Sequence, residues 1–174
     1  MKENLWMPDC IRTYTGLYMN VFEPKPEMIN IEDIAHSLSM QCRFGGHLPI
    51  FFSVAQHSIN CAALVGDERQ MLAALLHDAS EAYLLDIPRP IKSRMPEYKA
   101  IEYKLMLAIA DKFGFEWPMS DIVKKIDEEM LVWEWNCIML RNSAEAPNIQ
   151  SQRETKKAFL NIYKVLTEVK EVAK

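Results

Sequence analysis

The segment LLHDASEAYLLDIP, Leu75 to Pro88, sets four ionisable side chains into an otherwise apolar run: His77, Asp78, Glu81 and Asp86. Burying such groups without partners costs several kcal/mol each, and a cation is the most direct compensation. If the run is helical, His77 and Glu81 are four apart and Asp78 and Glu81 three apart, so all three point to roughly one side. Two further donors stand elsewhere in the chain. His57 lies in SVAQHS, and Asp127 in KKIDEEMLVWEW, with Asp121 six residues earlier as its rival. His57, His77, Asp78 and Asp127 would hold one divalent ion and leave positions open for water and substrate, which marks a catalytic rather than a structural site. Mixed nitrogen and oxygen ligands suit Mn, Fe, Co, Ni or Zn without choosing among them. Such an ion lowers the pKa of water and polarises a phosphoryl oxygen. Glu81, near the ligands yet spare, is then the group to move a proton.

These residues need helices to bring them together, and the sequence signals where helices start. Asn30 is the candidate cap of a helix to about Gln41, with Ile31, Ile34 and Leu38 on one face. Ser53 with Gln56 forms a capping-box pattern for a helix to about Val65, placing His57 in its first turns. Asp67 with Gln70 repeats the pattern, and the apolar periodicity predicts one helix on to about Leu85, where Pro88 and Pro90 forbid more. A helix from near Pro96 to Phe113 stops at Gly114. A long one runs from about Ser120 to Arg141. It has one face of Val123, Asp127, Met130 and Glu134 and a second apolar face of Ile122, Ile126 and Trp133, which predicts a central helix. Ser151 with Glu154 caps the last, whose Phe159, Ile162, Leu166 and Val169 form a stripe. Before all of these, IRTYTGLYMNVFEP alternates and carries Thr15-Gly16, a hairpin turn signal, and CRFGGHLPI reads as a loop.

The expected fold is therefore all-α, one domain over residues 1–174. It comprises an extended or hairpin segment at 1–28, a helical core bearing the metal site at 29–142, and a C-terminal loop and helix at 143–174. Composition agrees. The 174 residues suffice for one core, glycines number only five, and 49% apolar with 25% charged residues is a globular balance. Most methionines and aromatics, Trp133 and Trp135 included, read as core. A net charge of −4 argues against general duplex nucleic-acid binding, which needs a basic face. The four cysteines form no CxxC pair, which makes a zinc finger or thioredoxin motif a poor fit. The start MKENLWMPDC lacks the apolar core of a signal peptide, and no 18-residue apolar run is present, so a cytoplasmic chain with reduced thiols and no membrane span is expected.

The spaced pattern H…HD…D resembles the HD-domain metal-dependent phosphohydrolase superfamily. The resemblance rests on SVAQHS, LLHDASEAYLLDIPRPIK and KKIDEEMLVWE, in that order, and above all on HDxxExxxxDxPxPxK from His77 to Lys92. With CRFGGHL and FFSVAQHS it is nearest to phage and prophage HD proteins, and it is similar to bacterial 5′-deoxynucleotidases and phage dATP triphosphohydrolases, over about residues 12–140. It implies His57, His77, Asp78 and Asp127 as metal ligands and Glu81 as the proton-transfer residue. It also implies Asp86 as a carboxylate near the scissile phosphate and sugar. Arg43 matches the arginine that grips phosphate, a role its planar fork suits, and Lys92 matches a phosphate-proximal lysine. Phe44 stands where the deoxynucleotidases place a tryptophan that helps exclude a 2′-hydroxyl. His47, after two glycines near Arg43, is a candidate substrate contact. The implied activity is phosphate release from deoxynucleoside 5′-monophosphates. A triphosphohydrolase using a second ion such as Mg, a cyclic-nucleotide phosphodiesterase and a non-catalytic nucleotide-binding protein are the alternatives. The family also implies a homo-oligomer, with the last amphipathic helix either at an interface or closing the core.

Overall fold

The computed structural model describes residues 7–142 and 148–172, with side chains through Glu168. It is mostly helical, with one two-stranded hairpin near the N-terminus. Strands β1 (Cys10–Arg12) and β2 (Tyr18–Asn20) pair antiparallel around the expected turn, where Gly16 takes a φ of 90°. The hairpin is fastened to the helices by Asp33, which is buried and accepts from the Thr15 amide at 2.6 Å and the Thr15 hydroxyl at 2.8 Å.

The capped helices form where local chemistry asks for them. Helix α1 (Ile31–Met40) starts with the Asn30 side chain accepting from the Glu32 amide. Helix α2 (Val54–Leu64) starts with Ser53 accepting from the Gln56 amide. Helix α6 (Pro96–Phe113) has proline in its first turn and ends at Gly114 in the left-handed region, a conformation a side chain would strain. Helix α7 (Asp121–Glu134) is capped by Ser120 and runs on into a wide π turn over Trp135–Met139. Helix α8 (Gln152–Val172) carries a full reciprocal box, with the Ser151 amide donating to Glu154 and the Glu154 amide to Ser151.

The centre departs from the expectation. The helix predicted from Asp67 to Leu85 is three pieces. Helix α3 (Glu68–Leu75) ends early, residues 76–80 form turns, and a single-turn helix α4 (Glu81–Leu84) follows. Asp67 caps α3 through the Arg69 amide, not Gln70. His77 and Asp78 therefore lie between helices. Leu85 then takes a φ of 69°, and Pro88 precedes a further short helix, α5 (Arg89–Lys92), in a stretch expected to be free of helix. Pro90 is tolerated because it sits in the first turn, where its missing N–H has no intrahelical partner to lose.

Helices α1, α2, α3 and α8 pack on one another. They bury a core that includes Ile34, Leu38, Leu72, Leu75, Leu105, Ile109 and Phe159. A smaller cluster of Leu48, Phe52 and Ile138 lies apart from it, with Phe44 and Trp133 against it. The second apolar face of α7 is buried only in part: Ile126 packs against the main core and Trp133 against the smaller cluster, while Ile122 is 48% exposed, and Trp135, expected in the core, is 46% exposed. Within the stripe of α8, Phe159 is fully buried and Ile162 and Leu166 pack against the core, while the Val169 side chain and residues 143–147 lie outside the described region.

Candidate metal centre

Four chain segments meet at the site, and each is held by local bonding. The Cys42–Arg43 strand is strapped to the start of α2: the Arg43 amide donates to Phe52 O at 2.8 Å and the Val54 amide to Gln41 O at 3.1 Å. This sets Arg43 beside the turn of α2 that carries His57. Beyond Arg43 the backbone turns back through left-handed residues, with φ of 56° at Phe44, 61° at Gly45 and 82° at Gly46. Two of the three are glycines, which reach that region at little cost, and the third, Phe44, is an aromatic held there at the edge of the site.

His57 is fully buried. Its Nδ1 lies 2.6 Å from Glu134 Oε1. His77 is also buried, with Nδ1 2.7 Å from the Ala74 carbonyl. A carbonyl oxygen only accepts, so His77 must carry its proton on Nδ1; an ionised Glu134 asks the same of His57. Both Nε2 atoms then turn toward one point, 3.2 Å apart. Asp127 Oδ1 is 3.1 Å from His57 Nε2 and 3.6 Å from His77 Nε2, and Asp78 Oδ2 is 3.2 Å from His77 Nε2 and 3.8 Å from His57 Nε2. Donors about 2.0–2.2 Å from a shared ion stand roughly 3.0–3.5 Å from each other in tetrahedral or octahedral arrangements, so the spacing fits a divalent metal. Cys61, one helical turn after His57, is buried with Sγ 3.6 Å from His57 Nε2. His57, Cys61 and His77 bring donor atoms within 4.8 Å of one another, a group able to hold a metal ion.

The electrostatics lead to the same centre. Burial opposes charge on both imidazoles, and Arg43 opposes it on His57. Glu134 and Asp127 nevertheless outweigh this at His57, and Asp78 and Asp127 at His77, so both histidines are raised well above the usual range. Burial would lift Asp78 and Asp127, yet the adjacent imidazoles hold both carboxyls well below theirs. The cluster favours positive charge at its centre, where Arg43 already contributes from one side. Glu81 behaves oppositely. Burial, then Asp78 and Asp86, push its carboxyl well above the usual range, and its Oε2 is buried with no hydrogen-bond partner. Asp86 is raised by burial, with Arg43 pulling against it.

The sequence-derived residues converge. Asp78, Glu81, Asp86, Arg43, Phe44, His47, Lys92 and Asp127 all line one cavity of about 960 Å³, with His57 and His77 buried beneath. The rival Asp121 is fully exposed and pairs with Lys124. Lys92 reaches the cavity already paired, to Glu102 and, at 3.6 Å, to Glu81. The lining also includes the apolar Leu131, Val132, Trp135 and Met139, with the Trp135 ring 6.0 Å from that of Phe44.

Besides Cys61, two residues that matter were not singled out from sequence. Gln41 ties the mouth together, its amide nitrogen donating to Glu81 O at 3.0 Å and its oxygen accepting from the Asp86 amide at 3.1 Å. Nothing local in the sequence signals a bond to residues 40 and 45 positions away. Glu134 is completely buried and also accepts from Arg43 Nε at 3.2 Å and Nη2 at 3.0 Å. Its signal was readable: it follows Asp127 by seven residues, two helical turns along the same face.

No family model matches the sequence. The uncharacterized protein RCAP_rcc00048 of Rhodobacter capsulatus is 36% identical over 112 residues, 59% of this chain and 57% of that protein. The uncharacterized protein YfdR of Escherichia coli (strain K12) is 45% identical over 124 residues, 71% of this chain and 69% of that protein. At that identity and coverage, the chain belongs to the same family as Escherichia coli YfdR.

Proposed function

We propose that the protein is an HD-type metal-dependent phosphohydrolase that releases phosphate from deoxynucleoside 5′-monophosphates. The observation that carries this reading is the convergence of His57 Nε2, His77 Nε2, Asp78 Oδ2 and Asp127 Oδ1 under a cavity lined by both ionisable and apolar residues. A bound divalent ion supplies Lewis-acid polarisation of a phosphoryl oxygen and acidifies water.

The chain's own residues divide the remaining work. Arg43, with one edge held by Glu134, keeps Nη1 3.7 Å from Asp78 Oδ2 and presents it to a phosphate beside the ligands. Glu81, a buried carboxyl whose pKa burial raises, lines the same cavity and is placed to take and return a proton. Asp86, its amide held by Gln41, is placed for sugar or leaving-group contact. Phe44 and Trp135 offer an aromatic wall to a nucleobase, and His47 stands exposed at the rim.

Charge favours a monophosphate over a triphosphate. The cations lining the cavity are Arg43, Arg89 and Lys92. Glu134 holds one edge of Arg43 and leaves the other for a phosphate, Lys92 is paired with Glu102, and Arg89 has no ion pair among the described residues. Four phosphate charges would call for more.

The deciding experiment is product analysis by anion exchange. The protein is loaded with Mn, Co or Zn and given deoxy- and ribonucleoside mono- and triphosphates and cyclic nucleotides. Free phosphate from a deoxynucleoside monophosphate is the expected result, and its ribose counterpart tests Phe44. Tripolyphosphate from a dNTP would replace this reading with a triphosphohydrolase. Metal binding without turnover across the panel would point to a nucleotide-binding protein.

A further inference from the structure

We infer that Glu134 is a positioning residue that couples the metal centre to the anion grip, through one carboxylate shared between His57 and Arg43. The inference rests on the metal reading above and adds a residue that the motif does not contain. Both oxygens are committed, Oε1 to His57 Nδ1 at 2.6 Å and Oε2 to Arg43 Nε and Nη2 at 3.2 and 3.0 Å. The group is completely buried, at the end of α7, and its partners lie 77 and 91 residues earlier in the chain.

Each contact has a consequence. The bond to Nδ1 selects the tautomer of His57 whose free lone pair, on Nε2, faces His77 and Asp127. Carboxylate partners of this kind orient metal-binding imidazoles and make them better donors. The two bonds to Arg43 use up one edge of the guanidinium and leave Nη1 on the Asp78 side, toward the cavity. Because one planar group serves both, it cannot rotate to improve one contact without weakening the other. A buried ion pair that only stabilised the fold would not need to join a metal-ligand histidine to a cavity-lining cation.

The test uses the full chain stripped of metal and titrated with Co2+, read by the d–d absorption of the bound ion. Glu134→Gln keeps the shape. Its amide offers one oxygen, so either His57 or Arg43 faces an N–H donor instead of an acceptor. Co2+ affinity is expected to fall by about 10- to 100-fold. Arg43→Gln removes the guanidinium from Glu134 and also from Asp78 Oδ2, 3.7 Å away; it is expected to lower affinity several-fold at most, and the double variant to fall little below Glu134→Gln alone. Should Glu134→Gln not fold, proton NMR of the zinc-loaded wild type carries the test: the His57 Nδ1 proton must appear far downfield, as a short bond to a carboxylate requires. Wild-type Co2+ affinity in Glu134→Gln, additive losses in the double variant, or a His57 Nδ1 proton without that downfield shift would each overturn the coupling while leaving the metal site standing. A wild type that binds no Co2+ would remove both.

Discussion

The molecule buries two kinds of interior, and they are built by different rules. Around Ile34, Leu72, Leu105 and Phe159 the core is apolar. Its members are interchangeable in kind, because close packing asks only for the right volume and shape. Beneath the cavity the interior is His57, His77, Glu134 and Arg43, with Asp78 and Asp127 at its edge. There each group is tolerated only because a named partner offsets it, and removing one strands another. The first interior is a sum of small, similar terms. The second is a single joint arrangement, and it faces the one large cavity described above.

The sharpest way to break that contrast is at the proposed metal ligands. Asp78→Ala or Asp127→Ala is expected to reduce phosphate release by about 10³-fold or more, the equivalent of several kcal/mol of charge stabilisation in the transition state. Turnover within tenfold of wild type in either variant would show that the polar interior is not the reacting centre. Next in size is the apolar side. Phe159→Ala should cost about 3–5 kcal/mol of unfolding free energy in urea, with metal stoichiometry per folded chain unchanged. A loss of metal along with the phenyl ring would mean that the two interiors are not separable.

Metal itself should sharpen the distinction. At a hundredfold excess over its dissociation constant, Co2+ or Zn2+ is expected to add about 2.7 kcal/mol, a melting shift of roughly 5–10 °C for a chain of this size. Chelation should reverse the shift, which His77→Ala should lack and Phe159→Leu should retain. The smaller effects lie outside both interiors. Asn30→Ala removes the cap of α1 and should cost about 1 kcal/mol. Glu168→Ala breaks an exposed pair with Lys164 at 3.6 Å and should change stability by less than about 0.5 kcal/mol. A larger change there would mean that α8 does more at its surface than close the core.

What was legible in the sequence follows the same division. Helix starts were, because a cap is a contact between neighbours: Asn30, Ser53, Ser120 and Ser151 each bond within three residues. The hairpin at Thr15-Gly16 was, for the same reason. The break after Leu75 was not. The apolar positions Leu75, Leu76, Ala79 and Tyr83 are buried as a helix would bury them, so their periodicity gave no sign of the turns. In a helix His77 and Asp78, being adjacent, would point about 100° apart. Here both lie in turns, and Nε2 and Oδ2 stand 3.2 Å apart. Trp135 misled for the opposite reason: a large aromatic normally reads as core, and here it lines a cavity.

By itself, then, the sequence determined the all-α class, the helix starts, and the identity of the residues that would meet, because these depend on residue type and near neighbours. The tertiary structure decided how they meet. It broke the central helix, chose Asp127 over Asp121, paired Lys92 with Glu102, and inserted Glu134 between Arg43 and His57. Each of those outcomes depends on which charges share a low-dielectric interior, and that is a property of segments far apart in the chain.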